Sequence, residues 1–272
     1  MTISTNKLFL TICILFSFYY SNSQDKKIHR KSEFYISWGY NKEWYTNSTV
    51  KINQPTLGNK YQFVNVKGHD HPGWDEGLFT KDLTIPQYNY RLGYFFNNKK
   101  NIGVEINFDH TKFIITNGQT AKIKGNLNNR YVDSSLNFSE DNGFFYYLNN
   151  GANFLLFNIT KRWQWTQSKN IKIDLLAKAG VGPVIPHVEN SFFGKRNDRG
   201  FQFGGWNTGV ESALRATFFN HVYAEFSGKL DYARYSHLKI YEGRAKQELK
   251  TAEIILSLGY TFKQGGYYRK KK

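Results

Sequence analysis

Cysteine is nearly absent from this chain: Cys13 is the only one, and it lies in an apolar stretch near the N-terminus. No disulfide can form within the chain, so none can hold the fold together. Long apolar runs are missing as well. Residues 8–20 form the single such stretch, about 13 residues against the roughly 20 that a spanning helix needs. Internal repeats and low-complexity segments are also lacking. Acidic residues are few, 21 Asp and Glu against 37 Lys and Arg, which leaves a net charge of +16. A basic, aromatic-rich chain can bind nucleic acid. Here the cations are scattered and no recognition motif accompanies them, so nucleic acid is not an expected partner.

What is present begins with the leader. Lys7 precedes the apolar run from Leu8 to Tyr20, and Ser21-Asn22-Ser23-Gln24 comes next. A positive start, a short apolar segment and small residues at the cut predict a secretory signal peptide over 1–23. Leu10-Thr11-Ile12-Cys13 is not a lipoprotein cleavage box, because Ile12 stands where a small residue is needed. Removing 1–23 takes away Lys7 and Cys13, leaving a charge of +15 and no cysteine. An exported chain of this size without disulfides needs another means of closure, and a barrel is one. A mean hydropathy of −0.58 is compatible with a membrane barrel, since only alternate residues of its strands face lipid.

Period-two alternation is the dominant pattern. It is longest in the last strand, where Ala252, Ile254, Leu256, Leu258, Tyr260 and Phe262 share one face. Glu253, Ile255, Ser257, Gly259 and Thr261 share the other. An unbroken apolar face opposite a polar one is the signature of lipid outside and polar packing inside. Seven earlier segments alternate in the same way: 34–41, 88–96, 102–109, 155–159, 171–182, 206–218 and 222–232. Asn97 to Asn101, Trp163 to Asn170 and Phe219-Asn220-His221 read as short turns. Pro183 and Pro186 are expected to stop the fifth strand. Residues between about 46 and 87, 116–150, 183–203 and 238–248 read as long polar loops, with one extended piece from Tyr61 to Val66.

The predicted fold is thus all-β, an eight-stranded antiparallel up-and-down transmembrane β-barrel with long extracellular loops. An even count puts both termini in the periplasm. The expected organisation is a signal peptide at 1–23, the barrel at 24–262 and a basic periplasmic tail at 263–272. Together with the ending Gly259-Tyr260-Thr261-Phe262, the signal and strand pattern make the chain resemble the small outer-membrane β-barrel proteins of Gram-negative bacteria. That resemblance implies integral outer-membrane localisation. It also implies outer-membrane lipids, including lipopolysaccharide, and the outer-membrane insertion machinery as partners, with an extracellular ligand of unknown identity. No cofactor is expected.

Three constellations are candidates for chemistry. The inward set combines Arg91, Lys172, Lys178, Arg215 and Lys229 with Glu105, Asp109, Asp174, Glu211, Glu225, Asp231 and Glu253. An eight-stranded interior is only wide enough for side chains, so mixed signs there favour paired filling over an ion path. His69, His71 and His110 are weak metal candidates, beside a turn-forming Pro72-Gly73. Ser236 and His237, with Glu242 nearby, are weak catalytic candidates of the acyl-hydrolase kind, although neighbours on a regular strand point to opposite faces. The favoured function is a non-enzymatic barrel serving envelope structure, recognition or adhesion. A lipid A-modifying enzyme and a narrow porin-like solute passage are the alternatives.

Overall fold

A computed structural model describes residues 32–71, 82, 86–96, 100–168 and 170–263. The expected signal peptide, and the expected tail beyond Lys263, lie outside the described residues, as do residues 97–99 of the turn at Asn97 to Asn101. Apart from one 3-10 turn at Pro55–Leu57, the regular structure is all strand, and no α-helix occurs among the described residues. In chain order the strands are β1 Glu33–Tyr45, β2 Ser48–Gln54, β3 Asn59–Val66, β4 Gly68–His69, β5 Tyr88–Phe95 and β6 Ile102–His110. Next come β7 Phe113–Ile115, β8 Thr120–Leu127, β9 Arg130–Asn137, β10 Phe145–Leu148, β11 Phe154–Gln167 and β12 Ile171–Val184. The last are β13 His187–Phe192, β14 Lys195–Phe201, β15 Gly205–Phe218, β16 Val222–Ile240 and β17 Gly243–Lys263.

Eight of these pair in a ring, β1-β5-β6-β11-β12-β15-β16-β17, with β17 returning to β1; every pairing is antiparallel. The ring is staggered. Starting at Ile36, successive partners are Leu92, Ile106, Phe157, Val181, Thr208, Tyr232 and Lys250. Ile36 itself pairs with Tyr260, ten residues beyond Lys250 on β17. Alternation tracks the sequence closely: Ser257 is buried while Leu256 and Leu258 are exposed, and Glu211 is buried between exposed Val210 and Ser212.

Several predicted boundaries are corrected. Residues 163–167 continue β11, with Trp163 opposite Leu175. β12 runs through Pro183, which faces Trp206 on β15, while no ladder pair to β11 forms at that residue. Its missing N–H therefore costs that edge nothing. β16 and β17 continue through the expected loop at 238–248 and are joined by a turn at Tyr241-Glu242, where Glu242 has φ 45°.

The largest correction concerns the other loops, which are folded. The upper part of β17 pairs with β2, and β2-β3-β8-β9 extends the ring's sheet beyond it. The order β14-β13-β10-β7-β4 makes a second, five-stranded sheet. Together they form a cap at the end opposite the short turns. Its core holds Val50, Ile52, Phe63, Phe113, Ile123, Phe144, Tyr146, Leu148, Phe192, Tyr235 and Leu238. Edge-to-face rings join Phe63 to Phe138 and Phe144 at centroid distances of 5.0 and 5.6 Å, a geometry favoured by the ring quadrupole.

Candidate functional site

The ring interior is the densest concentration of charge, and the register explains its composition. Across neighbouring strands Lys178 stands opposite Glu211, Glu211 opposite Lys229, and Lys229 opposite Glu253. In the parallel row Asp174 faces Arg215 and Arg215 faces Glu225. Opposite charges at directly paired positions attract at the closest spacing a sheet offers.

Towards the turn end, Arg162 pairs with Glu33, and its guanidinium lies 4.0 Å from the Phe95 ring centroid. Lys172 sits between Glu33 at 3.8 Å and Asp174 at 3.3 Å. In the middle, Arg215 is held between the rings of Tyr223 and Tyr35, at 4.1 and 4.3 Å, and donates to Glu225 at 2.6 Å. Lys178 reaches Glu225, Glu211 and Glu105 at 2.7, 3.0 and 3.1 Å. Tyr35 donates its hydroxyl to Glu105 at 2.8 Å. Arg91 then links Asp109 at 2.6 Å, Glu211 at 3.3 Å and Glu105 at 3.7 Å. Nearest the cap, Lys229 pairs with Asp109, with Asp231 at 3.1 Å and with Glu253 at 3.6 Å.

The tyrosines fit because glycine stands opposite them. A Cβ on Gly93 would run into the Tyr35 ring, and one on Gly259 into the Tyr223 ring. At the junction with the cap, the Tyr45 hydroxyl lies 2.6 Å from Glu43 Oε2 and 2.7 Å from the Lys112 carbonyl, two acceptors that its one proton serves. Phe154 belongs to the cap core while lying 5.8 Å from the Lys229 ammonium. The charged interior thus ends against an apolar floor.

All twelve charged residues picked out from the sequence lie in this interior, and each has an oppositely charged partner. Sequence reasoning missed Arg162, Glu33 and Glu43. The signal was available in parity: Asn158, Thr160 and Arg162 continue one inward face, and Glu33 and Glu43 bracket Tyr35 to Asn41 on another.

Ser236 and His237 are brought together, not apart. A register shift between Tyr235 and Leu238 breaks the alternation, and His237 Nδ1 lies 3.0 Å from Ser236 Oγ. Such a bulge re-aims side chains that a regular strand would separate. Glu242 is elsewhere, accepting from Thr56 at the hairpin tip. Among the described residues no carboxylate pairs with His237, so the third member of a triad is missing. His69 contacts Thr116 at 3.1 Å and its ring is 6.3 Å from that of His71. His110 contacts Asn153 at 2.8 Å and stacks on Tyr88. Among the described residues no group of three such side chains could hold a metal ion.

No protein-family model matches the chain, and no curated protein matches it. Among solved structures it is similar to neisserial surface protein A, NspA, at 9% identity and a TM-score of 0.33, covering 84% of this chain and 97% of that one. It is similar to the outer membrane protease OmpT from Escherichia coli at 10% identity and 0.40, covering 89% and 99%. The outer membrane protein AlkL matches at 11% identity and 0.37, covering 92% and 99%. All three scores fall below 0.5, so a functional assignment has to rest on the banding of the ring itself.

Proposed function

We propose that the chain is an integral outer-membrane β-barrel of eight strands, its lumen filled by ion pairs and its folded cap serving surface recognition or adhesion. One observation carries this: the ring has its polarity inverted. Leu92, Ile106, Phe157, Val210, Phe226 and Leu256 are exposed around its outside, while arginine, lysine and carboxylates are buried within. In water so broad an apolar belt would drive aggregation; in a bilayer it is the lipid-facing band. The stagger supports closure. Ten residues at about 3.3 Å, set against eight strands at about 4.8 Å, give a tilt of about 40°, within the range of known barrels. Unpaired sheet edges are not tolerated in hydrocarbon, and the β1–β17 pairing removes them.

The short-turn end then faces the periplasm and the cap faces outward. A lumen filled by side chains that are mutually paired leaves little room for solute flow, which favours recognition over passage. Among the described residues the Ser236–His237 contact is the one feature that speaks for a hydrolase, and without an acidic partner there it lacks the group that would orient the histidine. Fractionation of the expressed chain tests the proposal. Recovery with the outer membrane, heat-dependent gel mobility and no bilayer conductance are expected. A soluble periplasmic protein would overturn the barrel, steady conductance the filled lumen, and loss of acyl chains from lipid A that depends on Ser236 the non-enzymatic role.

A further inference from the structure

The outer face of the cap sheet carries charge of almost one sign. On β17, Arg244, Lys246 and Lys250 are exposed, alternating with buried Ala245, Gln247 and Leu249. Lys246 stands directly opposite Lys51 on β2, and that row continues through Gln62 on β3 to Lys124 on β8 and ends at Asp133 on β9. In the next row Arg244 faces Asn53, and Asn53 faces Lys60. Two carboxylates share the face, and both are engaged: Asp133 with Lys122 at 2.9 Å, Glu248 with Arg234 at 3.8 Å. Among the described residues Lys51, Lys60, Lys124, Arg244, Lys246 and Lys250 have no ion-pair partner. A solvated sheet face ordinarily mixes signs, because like charges placed directly opposite repel. Lysine opposite lysine is relieved when an anion lies between them.

The position of the face selects the anion. Even-numbered residues of β17 point to one side throughout, so Leu256 and Leu258 on the lipid-facing band and Lys250, Lys246 and Arg244 on the cap lie on one continuous surface. Lys250 is six residues from Leu256. At about 3.3 Å per residue and a tilt of about 40° it stands about 15 Å above that level, which equals half the roughly 30 Å hydrocarbon thickness if Leu256, midway along the apolar face from Ala252 to Tyr260, is set at the bilayer centre. Lys246 and Lys51 stand about 10 Å higher. With Leu256 at mid-bilayer, Lys250 then lies at the hydrocarbon edge where headgroup phosphate begins, and Lys246 and Lys51 lie just beyond the headgroup zone, at the level of the sugars of an outer-leaflet glycolipid. We infer that this basic face docks the phosphate groups of outer-leaflet glycolipid, clamping the cap against the membrane surface; the inference rests on the proposed outer-membrane assignment.

The test uses the full chain inserted in phosphatidylcholine vesicles. The probes are a purified lipopolysaccharide bearing two lipid A phosphates, its dephosphorylated form, and a soluble heparin fragment. Wild type should prefer the phosphorylated glycolipid at least tenfold at 0.15 M salt. The triple variant Lys51→Gln/Lys124→Gln/Lys246→Gln should lose that preference. A triple variant on β14, Lys195→Gln/Arg196→Gln/Arg199→Gln, removes the same net charge from the other sheet and should change binding less than twofold. Equal binding of both glycolipids, equal loss in both variants, or tighter binding of heparin than of glycolipid would each overturn the inference. Failure to insert would overturn the barrel along with it, whereas insertion without preference removes only the docking face.

Discussion

Ring and cap share strands and yet pack by opposite rules, and β17 shows the change within one face. Its inward side reads Ala245, Gln247 and Leu249 in the cap, then Thr251, Glu253, Ile255 and Ser257 in the ring. Its outward side reads Arg244, Lys246, Glu248 and Lys250 in the cap, then Ala252, Ile254, Leu256 and Leu258. β16 changes at the same level: Tyr232, paired with Lys250, separates outward Leu230 from outward Arg234. The backbone and its pleat do not change at that point. On the proposed outer-membrane assignment, what changes is the solvent. Where water lies outside, burying Tyr235 and Leu238 inside gives the hydrophobic gain of an ordinary core. Where, on the proposed assignment, hydrocarbon lies outside, apolar side chains gain little by turning inward, and the interior is mostly polar and charged groups that hold one another, with one small apolar cluster of Tyr35, Phe95, Leu176, Ala213 and Tyr223.

The two interiors should therefore fail differently. The largest effect is expected at Lys178, which three carboxylates share. Lys178→Met keeps the length and removes the charge, leaving Glu105, Glu211 and Glu225 facing one another without it. Stripping a buried cation from its partners costs about 3–5 kcal/mol. The unfolding midpoint in detergent should fall accordingly, and heat-dependent mobility should be lost at a lower temperature. An unchanged midpoint would mean that water fills the lumen.

A second pair of variants tests the outside against the inside on adjacent residues. Leu256 is 51% exposed and Ser257 is buried, donating to Asn89 at 3.1 Å. Arginine at 256 places a charge in the lipid band, at roughly 2–4 kcal/mol near the midplane of a barrel. Ser257→Ala removes one buried hydrogen bond, about 1 kcal/mol. Equilibrium unfolding from liposomes should rank them in that order, and the reverse ranking would exchange the two faces.

The ring was legible because its alternation persists over eleven or more residues in the best strands, so facing could be assigned before any pairing was known. The twelve interior charges followed from facing alone. Their partners did not, because pairing depends on register, and Lys178 meets Glu225 only once three strands are aligned. Of the cap only the extended piece from Tyr61 to Val66, which lies in β3, was legible; the rest was hidden for a related reason. Val50-Lys51-Ile52 and Ala121-Lys122-Ile123-Lys124 alternate over too few residues to stand out from Asn- and Lys-rich surroundings. They become strands only when distant segments supply the opposite wall of the core. The Ser236–His237 contact was hidden too, since a bulge leaves no mark in residue type.

The smallest expected effect lies in the cap, where two buried tyrosines separate packing from hydrogen bonding. Tyr235 donates its hydroxyl to the Ala152 carbonyl at 2.8 Å, tying β16 to the segment that enters β11. The Tyr146 hydroxyl is equally buried and has no partner among the described residues. Burial raises the pKa of both above the ordinary tyrosine value, which favours the neutral phenol. Phenylalanine preserves the ring in each case. Tyr235→Phe removes a made bond and leaves a carbonyl to find another donor, which should cost about 1 kcal/mol. Tyr146→Phe removes only a hydroxyl whose desolvation is uncompensated, so stability should be unchanged or slightly raised. Protease resistance of the cap in the inserted protein is the measurement, because ring stability would mask so small a difference in a global melt. Were Tyr146→Phe the more damaging of the two, the cap interior would hold a polar partner for that hydroxyl, and its contrast with the ring would be one of degree.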